Sequence, residues 1–374
     1  MKKIISLLSL LSLLLLLITL PGCLDTLNGL LPEGTKDFFN NLYLQYEQSA
    51  GGEEEPVFVD DQTSYGYYYD QLSDNSQAVY RAIYLQNQCC DGIPIVFRQP
   101  LSFFVTASET ESADDMVRSG ISRIVQPALD AMLYDHPEID WISMDAETGS
   151  TFRISSRKET DEDGNTTVTI KKLTFQLCYK NGLTQESIAE SQAAMQETIL
   201  LAGSPLSGEE SRYDTLSALQ DFLCSRVAYT SDAAHAHDAA GALIDGAAVC
   251  DGYAKAFKLL CDAYEIPCLI VAGTATQNSQ EAPHAWNCVQ MEDGKWYAID
   301  PTWNDSGEEV DDTYFLVGAG TVTSLSLGHF ENSHHPNGKF SAGDYPPFEF
   351  PELSFFRYSE PLLPGGWIRE AEKV

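Results

Sequence analysis

Three residues of this 374-residue chain have the types and the spacing that thiol chemistry requires. Cys250 follows a short turn and begins a helical pattern, and His284 and Asp300 lie in two later strand-like runs. A cysteine nucleophile needs a base to take its proton and a third group to orient that base. Taken alone, Cys250 fits a buried structural cysteine at least as well. The two later residues favour the interpretation as a Cys-His-Asp triad.

A predicted helix positions the candidate nucleophile. Tyr253, Phe257 and Leu260 recur at helical intervals after Cys250, which places the thiol at or beside the helix N-terminus. There the helix dipole and free N–H groups favour thiolate over thiol, and the same N–H groups could supply half of an oxyanion hole. The sequence identifies no second oxyanion donor. Tyr253 is a candidate polar neighbour of the site, although packing in the core is the simpler interpretation.

Two predicted strands must bring His284 and Asp300 together. The runs 284–290 and 295–300 flank an Asp-Gly turn, which is typical of a β-hairpin. A two-residue loop would put His284 and Asp300 on opposite faces of the sheet, because side chains alternate along a strand. A three-residue loop with Gly294 in the left-handed position puts both on one face. The chemistry requires the three-residue loop, so we predict it.

The segments VCDGYAKAF, HAWNCV and WYAIDPTWND resemble the core of the transglutaminase-like superfamily, which is similar in fold to papain-type cysteine proteases. The resemblance implies an α+β fold in which the helix that bears Cys250 packs on an antiparallel sheet carrying His284 and Asp300. It implies that Cys250 is the nucleophile, His284 the general base and Asp300 the orienting acid. The family includes cross-linking acyltransferases, proteases, peptide deglycosylases and members without activity.

The resemblance implies a thiol-dependent hydrolase or acyltransferase that acts on peptide or carboxamide bonds of a protein or peptide substrate through a thioester. No cofactor is expected. Trp286, Trp303 and Tyr253 are candidates to line a substrate groove, and packing on the sheet is an equally good interpretation of the tryptophans. The alternative function is a catalytically silent binding or scaffold module. The complete triad favours the enzyme, because inactive relatives typically lose the cysteine.

The first residues of the sequence are typical of a targeting segment. Two lysines precede an apolar run over residues 4–20, so residues 1–22 are predicted to be a signal peptide. An uncleaved membrane anchor is the alternative, since the run is close to the lower spanning limit of about 17 residues. The segment LPGC at 20–23 resembles the lipobox of bacterial lipoproteins. It implies that Cys23 is lipidated and anchors an exported protein to the outside of the cell membrane.

The charge of the chain excludes one class of partner. Lys+Arg 22 against Asp+Glu 55 give a net charge of −33. Because a surface this acidic repels the phosphate backbone, we predict no nucleic-acid binding.

Metal binding is not predicted either. The nine cysteines are scattered without a CxxC pair, which indicates neither a zinc site nor a dense disulfide framework. His235 and His237 lack a third ligand of matching spacing and are expected to be solvent-facing loop histidines. The acidic turn 160–165 lacks the ligand spacing of a calcium-binding loop.

Breaks in composition divide the chain. Residues 23–55, which end in a Gly-Gly-Glu-Glu-Glu cluster, are predicted to be a lipidated N-terminus and linker. A smaller α+β domain is predicted over 56–180, the catalytic domain over 181–350 and a C-terminal tail over 351–374. Local expectations are a helix that Pro127 kinks or splits, separate strands over 93–97 and 101–106, and a strand after Pro137. A polar loop is expected over 274–283, and irregular structure around His329, His334 and His335.

Overall fold

The computed structural model describes residues 43–46, 64–86, 90–106, 112–143, 150–180, 182–204, 206, 211–277, 279–307, 310–340 and 344–359. The predicted signal peptide, Cys23 and most of the predicted linker lie outside these residues. Among the helices within the described ranges, none has the length and apolar character needed to span a membrane.

In the described part of the chain, the predicted first domain contains two helices and three strands, and a strand from the predicted linker joins those strands to form a four-stranded sheet. The strand from the linker, Tyr43–Tyr46, pairs with residues 153–156. Ser73 caps the first helix, because its hydroxyl accepts a hydrogen bond from the N–H of Ser76 at 3.3 Å. Ser112 caps the second helix in the same way, through the N–H of Asp115 at 3.1 Å. The elements are α1 (Asp74–Gln86), α2 (Ala113–Asp135), β1 (Tyr43–Tyr46), β2 (Cys90–Val105), β3 (Thr151–Thr160) and β4 (Thr166–Leu177), and the strand order is β1-β3-β4-β2.

Two local predictions about this domain are wrong, and one alternative of a third is excluded. Pro127 does not split helix α2, because the buried face of the helix runs on both sides of the proline and burial offsets the lost hydrogen bond. The two predicted strands around residue 100 form one strand, β2, whose register shifts between Val96 and Leu101 and so tolerates a proline without an N–H. After Pro137 the chain forms only an isolated bridge between Ile142 and Tyr179.

The predicted catalytic domain has a helix packed on a second four-stranded sheet. The amide of Asn287, on the sheet, donates to the carbonyl of Ala254 on the helix at 2.9 Å. This arrangement confirms the predicted α+β class, with a cysteine-bearing helix on an antiparallel sheet. The elements are α5 (Cys250–Ala263), β7 (Cys268–Gln277), β8 (Gln280–Gln290), β9 (Trp296–Ile299) and β12 (His334–Pro336), and the strand order is β12-β7-β8-β9.

The hairpin between β8 and β9 has the predicted three-residue loop. The N–H of Met291 donates to the carbonyl of Lys295 at 3.0 Å, and Asn287 pairs with Ile299. Gly294 has φ 78°, the left-handed conformation that this loop requires. The expected polar loop over 274–283 is wrong, because β7 and β8 both extend through that region and place His284 within β8 instead of at its start.

Shorter elements surround this core. Two short strands, β5 (Ala228–Tyr229) and β6 (Ala247–Ala248), form a parallel pair just before α5, and Tyr229 pairs with Ala248. The remaining elements are α3 (Gln185–Ala202), α4 (Arg212–Cys224), β5 (Ala228–Tyr229), a π-helical turn (Gly241–Asp245), β6 (Ala247–Ala248), α6 (Pro301–Asn304), β10 (Val322–Ser324), β11 (Gly328–His329) and two 3-10 turns (Tyr69–Gln71 and Phe330–Asn332).

One hydrophobic core crosses the boundary between the two predicted domains. Its buried residues include Leu129 of α2, Ile270 of β7 and Phe340 near the end of the chain. The first residues of the predicted tail also pack on the catalytic sheet, because the N–H of Ser354 donates to the carbonyl of Trp296 at 2.8 Å.

Candidate active site

Cys250 lies at the first position of α5. The preceding Val249 offers no side-chain cap, and its N–H donates to the carbonyl of Ala236 at 2.9 Å. The loop that contains Ala236 therefore lies over the start of the helix. The local sequence explains the entry, since Gly246 adopts the left-handed conformation (φ 66°) that ends the π-helical turn and starts β6. Cys250 is 6% exposed, so the thiol sits at a helix N-terminus but beneath covering residues.

The structure brings His284 and Asp300 into direct contact. His284 Nε2 lies 2.7 Å from Asp300 Oδ2, and the Cys250 sulfur is near enough to His284 to raise its pKa. Asp300 follows β9 and caps α6, because its Oδ1 accepts from the N–H of Trp303 at 3.1 Å. Since Nε2 is bonded to the acid, Nδ1 is the ring nitrogen left to face sulfur.

The electrostatics of the pair favour the charged forms of both residues. Burial alone would lower the pKa of His284, but Asp300 and the Cys250 sulfur outweigh it and raise that pKa to about 10. Burial would likewise raise the pKa of Asp300, yet the neighbouring imidazoles hold it well below its usual range. At neutral pH the site can therefore hold an imidazolium beside the sulfur, the environment in which a cysteine reacts as a thiolate.

His334 is a second histidine on the same acid, and the sequence did not predict it. It lies on β12, which pairs with β7, and its Nε2 is 3.2 Å from Asp300 Oδ2. Its side chain is fully buried. The expectation of irregular structure here is wrong. A strand of three residues among polar neighbours has too little periodicity to be recognised.

Tyr229 is a second residue that sequence reasoning missed. It is exposed, and its pairing with Ala248 holds it beside the segment that leads into Cys250. Its pKa is raised to about 12, first by reduced hydration and then by the negative potential of Cys250, Asp251 and Asp300. The only sequence signal is its position in a short run with strand propensity.

The three groove candidates have different surroundings. Tyr253 is buried, and its hydroxyl lies 3.0 Å from the carbonyl of Val227 and 2.5 Å from Asp305 Oδ2. Trp286 is also buried, so both side chains pack in the core, and their place in a substrate groove stays a prediction. Trp303 is half-buried with its ring 5.0 Å from that of His284, and it remains a groove candidate.

One group of side chains within the described ranges could hold a metal ion. His284, Asp300 and His334 each offer one ligand atom, and these atoms lie within 4.8 Å of one another. They already satisfy one another by hydrogen bonds, so no unpaired atom in this group calls for an ion. His235 and His237 bind different carboxylates, Asp245 at 2.8 Å and Asp251 at 2.9 Å, and do not converge.

Buried thiols surround the site without taking part in it. Cys224, Cys261, Cys268 and Cys288 are free and buried, and desolvation raises the pKa of Cys224, Cys261 and Cys288. Such thiols are poor nucleophiles. Among these cysteines and Cys250, only Cys250 touches a histidine that in turn binds an acid.

Part of the chain matches a known protein family. Residues 201–301 match the model of the transglutaminase-like superfamily, and this span includes Cys250, His284 and Asp300. No curated protein matches the chain.

Three solved structures resemble the chain at low identity. One is a TGase, with 14% identity, coverage of 45% of this chain and 53% of that chain, and a TM-score of 0.29. Another is a candidate cysteine protease from Cytophaga hutchinsonii, with 14% identity, 55% and 73% coverage, and a TM-score of 0.26. The third is the periplasmic domain of TgpA from Pseudomonas aeruginosa bound to ethylmercury, with 17% identity, 41% and 66% coverage, and a TM-score of 0.26. The chain thus spans about half the length of the first.

Proposed function

We propose that this chain, of which residues 201–301 match the transglutaminase-like superfamily, is a thiol-dependent hydrolase or acyltransferase acting on peptide or carboxamide bonds. The observation that carries the proposal is the hydrogen bond between His284 and Asp300 beside Cys250, which lies at a helix N-terminus and whose sulfur raises the pKa of His284. The substrate is a protein or peptide.

The proposed reaction begins with proton transfer from the Cys250 thiol to His284 Nδ1. The thiolate attacks the carbonyl carbon and gives a tetrahedral intermediate. That intermediate collapses to a thioester as the leaving nitrogen takes the proton from His284. Water then gives a carboxylic acid, or an amine gives a new amide. In either case His284 accepts the proton of the incoming nucleophile, and the thiol is released.

The oxyanion requires two donors. The backbone N–H of Cys250, at the start of α5, is the first. We assign Tyr229 as the second, because it is exposed at the site and its hydroxyl can donate at neutral pH.

One observation favours a catalytically silent module. Cys250 and His284 are each 6% exposed, so a substrate reaches the thiol only when covering residues move.

Alkylation rates separate the two functions. The full chain is treated with iodoacetamide across a pH range, and modified cysteines are mapped by peptide mass. We expect Cys250 to react at pH 7 faster than an unfolded control peptide of the same sequence, and Cys250→Ala to lose amine incorporation into a protein acceptor and peptide hydrolysis together. A Cys250 that reacts no faster than the peptide would favour the silent module.

We also propose that the protein is exported and lipid-anchored through Cys23. The apolar run over residues 4–20 and the following LPGC segment support this. In a bacterial host, Cys23→Ser is expected to move the protein out of the membrane fraction. An unchanged membrane fraction would argue for an uncleaved anchor.

A further inference from the structure

We propose that His334 is a positioning residue for the site, holding the carboxylate of Asp300 in the orientation in which it binds His284. The inference rests on the proposed function and deepens it, by adding to the triad a side chain from a different strand. The two imidazoles meet at the same oxygen: Asp300 Oδ2 lies 2.7 Å from His284 Nε2 and 3.2 Å from His334 Nε2.

Both oxygens of the Asp300 carboxylate are hydrogen-bonded. Oδ1 accepts from the N–H of Trp303, and Oδ2 is shared by the two histidines. Without His334, Oδ2 would have one partner and the carboxyl group would be anchored at a single point on each oxygen. An acid that rotates away leaves His284 without its orienting partner.

The surroundings of His334 select the tautomer that donates to Asp300. An ionised carboxylate only accepts, so the N–H of a neutral His334 must be on Nε2. Nδ1 then lies 2.9 Å from the hydroxyl of Ser333, whose single proton is shared between Nδ1 and the carbonyl of Phe330 at 3.0 Å. Burial lowers the pKa of His334, which favours the neutral ring.

Aromatic rings hold the imidazole in place. Phe330 stacks on it at 4.2 Å between ring centroids, and Trp303 and Trp286 approach edge-on at 4.6 Å and 5.0 Å. An apolar enclosure of this kind would accept phenylalanine at lower desolvation cost than histidine. The polar ring is therefore explained by the bond to Asp300 and not by packing.

Three variants test the inference. His334→Gln keeps an N–H donor, His334→Phe keeps an aromatic ring without a donor, and His335→Gln changes the exposed neighbour on the same strand as a control. The readouts are the Cys250 alkylation rate at pH 7 and pH 10, mapped by peptide mass, and the melting temperature.

A positioning role and a packing role predict opposite orders. We expect the melting temperature of His334→Phe to equal or exceed that of His334→Gln. We expect Cys250 in His334→Phe, however, to be alkylated about tenfold more slowly at pH 7, which is the effect of losing one hydrogen bond to a charged group. At pH 10 the rates should converge, because an ordinary thiol, with a pKa of about 8.5, is ionised at that pH whatever its neighbours. His335→Gln should match the wild type.

Two results would overturn the inference and leave the proposed function standing. The first is a wild type whose Cys250 shows enhanced alkylation at pH 7, together with a His334→Phe variant that is alkylated at the same rate. The other is stoichiometric zinc in the purified wild type that is absent from His334→Gln, which would assign the group as a metal centre. A wild-type Cys250 without enhanced reactivity would remove both proposals together.

Discussion

Asp300 is a fully buried carboxylate that stays ionised because donors surround it. Burial of a charge is costly unless it is paired and hydrogen-bonded, and here His284, His334 and the N–H of Trp303 supply the bonds. Burial would lower the pKa of His284, but the charge of Asp300, its hydrogen bond to the ring and the Cys250 sulfur raise that pKa to about 10. The pKa of His284 therefore depends on the charge of Asp300, and it should fall when Asp300 is replaced by a neutral residue.

Asp300→Asn should lower activity by about 10⁴-fold, the loss seen when an orienting acid is neutralised in a catalytic triad. The amide carries no charge, so burial dominates and the pKa of His284 falls. Steady-state hydrolysis and alkylation of Cys250 at pH 7 measure the change. Asp305→Asn is a control, since Asp305 contacts Tyr253 outside the triad. Equal losses in the two variants would contradict the assignment of Asp300.

The free energy of unfolding should depend on pH through the interaction of His284 with Asp300. The folded pKa of His284 is raised, so its contribution is fully present below the unfolded value of about 6.5 and is lost as pH rises through about 10. The free energy of unfolding of the wild type should therefore exceed that of Asp300→Asn most at pH 6–7, and the difference should shrink towards pH 10–11. Urea unfolding of both proteins provides the measurement. A difference that is constant with pH would rule out an ionised His284.

Helix α5 and the hairpin β8–β9 are the elements that place the three residues. The helix starts at Cys250 one residue after β6, and Gly252 allows the loop that contains Ala236 to come close. A Cβ at Gly252 would lie 2.5 Å from the Ala236 carbonyl oxygen. A backbone atom cannot swing aside as a flexible side chain can, so the position of the nucleophile depends on this contact.

Gly252→Ala should destabilise the fold by about 1–3 kcal/mol, the usual cost of overpacking, and slow Cys250 alkylation at pH 7. Gly294→Ala is the matched comparison. A Cβ there meets nothing within 4 Å, so only its left-handed backbone (φ 78°) is strained, at a cost of about 1–2 kcal/mol. We expect Gly294→Ala to leave the alkylation rate closer to wild type. The reverse order would show that the loop does not constrain the helix start.

At the level of the molecule, the first domain completes the core of the second. Buried residues of α2 and of the catalytic sheet belong to one cluster, and the hydroxyl of Tyr68 donates to the carbonyl of Ile270 on β7. Lys180 and Asp238 form an ion pair across the boundary at 3.1 Å. The catalytic sheet is therefore not covered by its own domain alone.

A fragment of residues 181–374 should lack a cooperative thermal transition, because removing the first domain exposes the apolar face around Ile270. Circular dichroism melting of the fragment against the full chain tests this. Tyr68→Phe in the full chain removes one boundary hydrogen bond and should cost about 1 kcal/mol. A fragment that melts within a few degrees of the full chain would show that the catalytic domain is self-sufficient.

The sequence by itself determined the features that follow local rules. The start of α5 follows from helical spacing after a turn, and the shared face of His284 and Asp300 follows from a three-residue loop and the two-residue period of strands. The position of Gly294 in the left-handed region has the same origin. These rules need only neighbours along the chain, which is why both the register and the helix start were predictable.

The positions of His334 and Tyr229 and the continuity of α2 depend on tertiary contacts. His334 comes to Asp300 because β12 pairs with β7, and a three-residue strand has no pattern of its own. Tyr229 reaches the site through its pairing with β6, and α2 passes Pro127 because its buried face holds the helix together. In each case the stabilising contacts are made with residues that are distant in the sequence. The spacing of neighbouring residues does not encode such contacts.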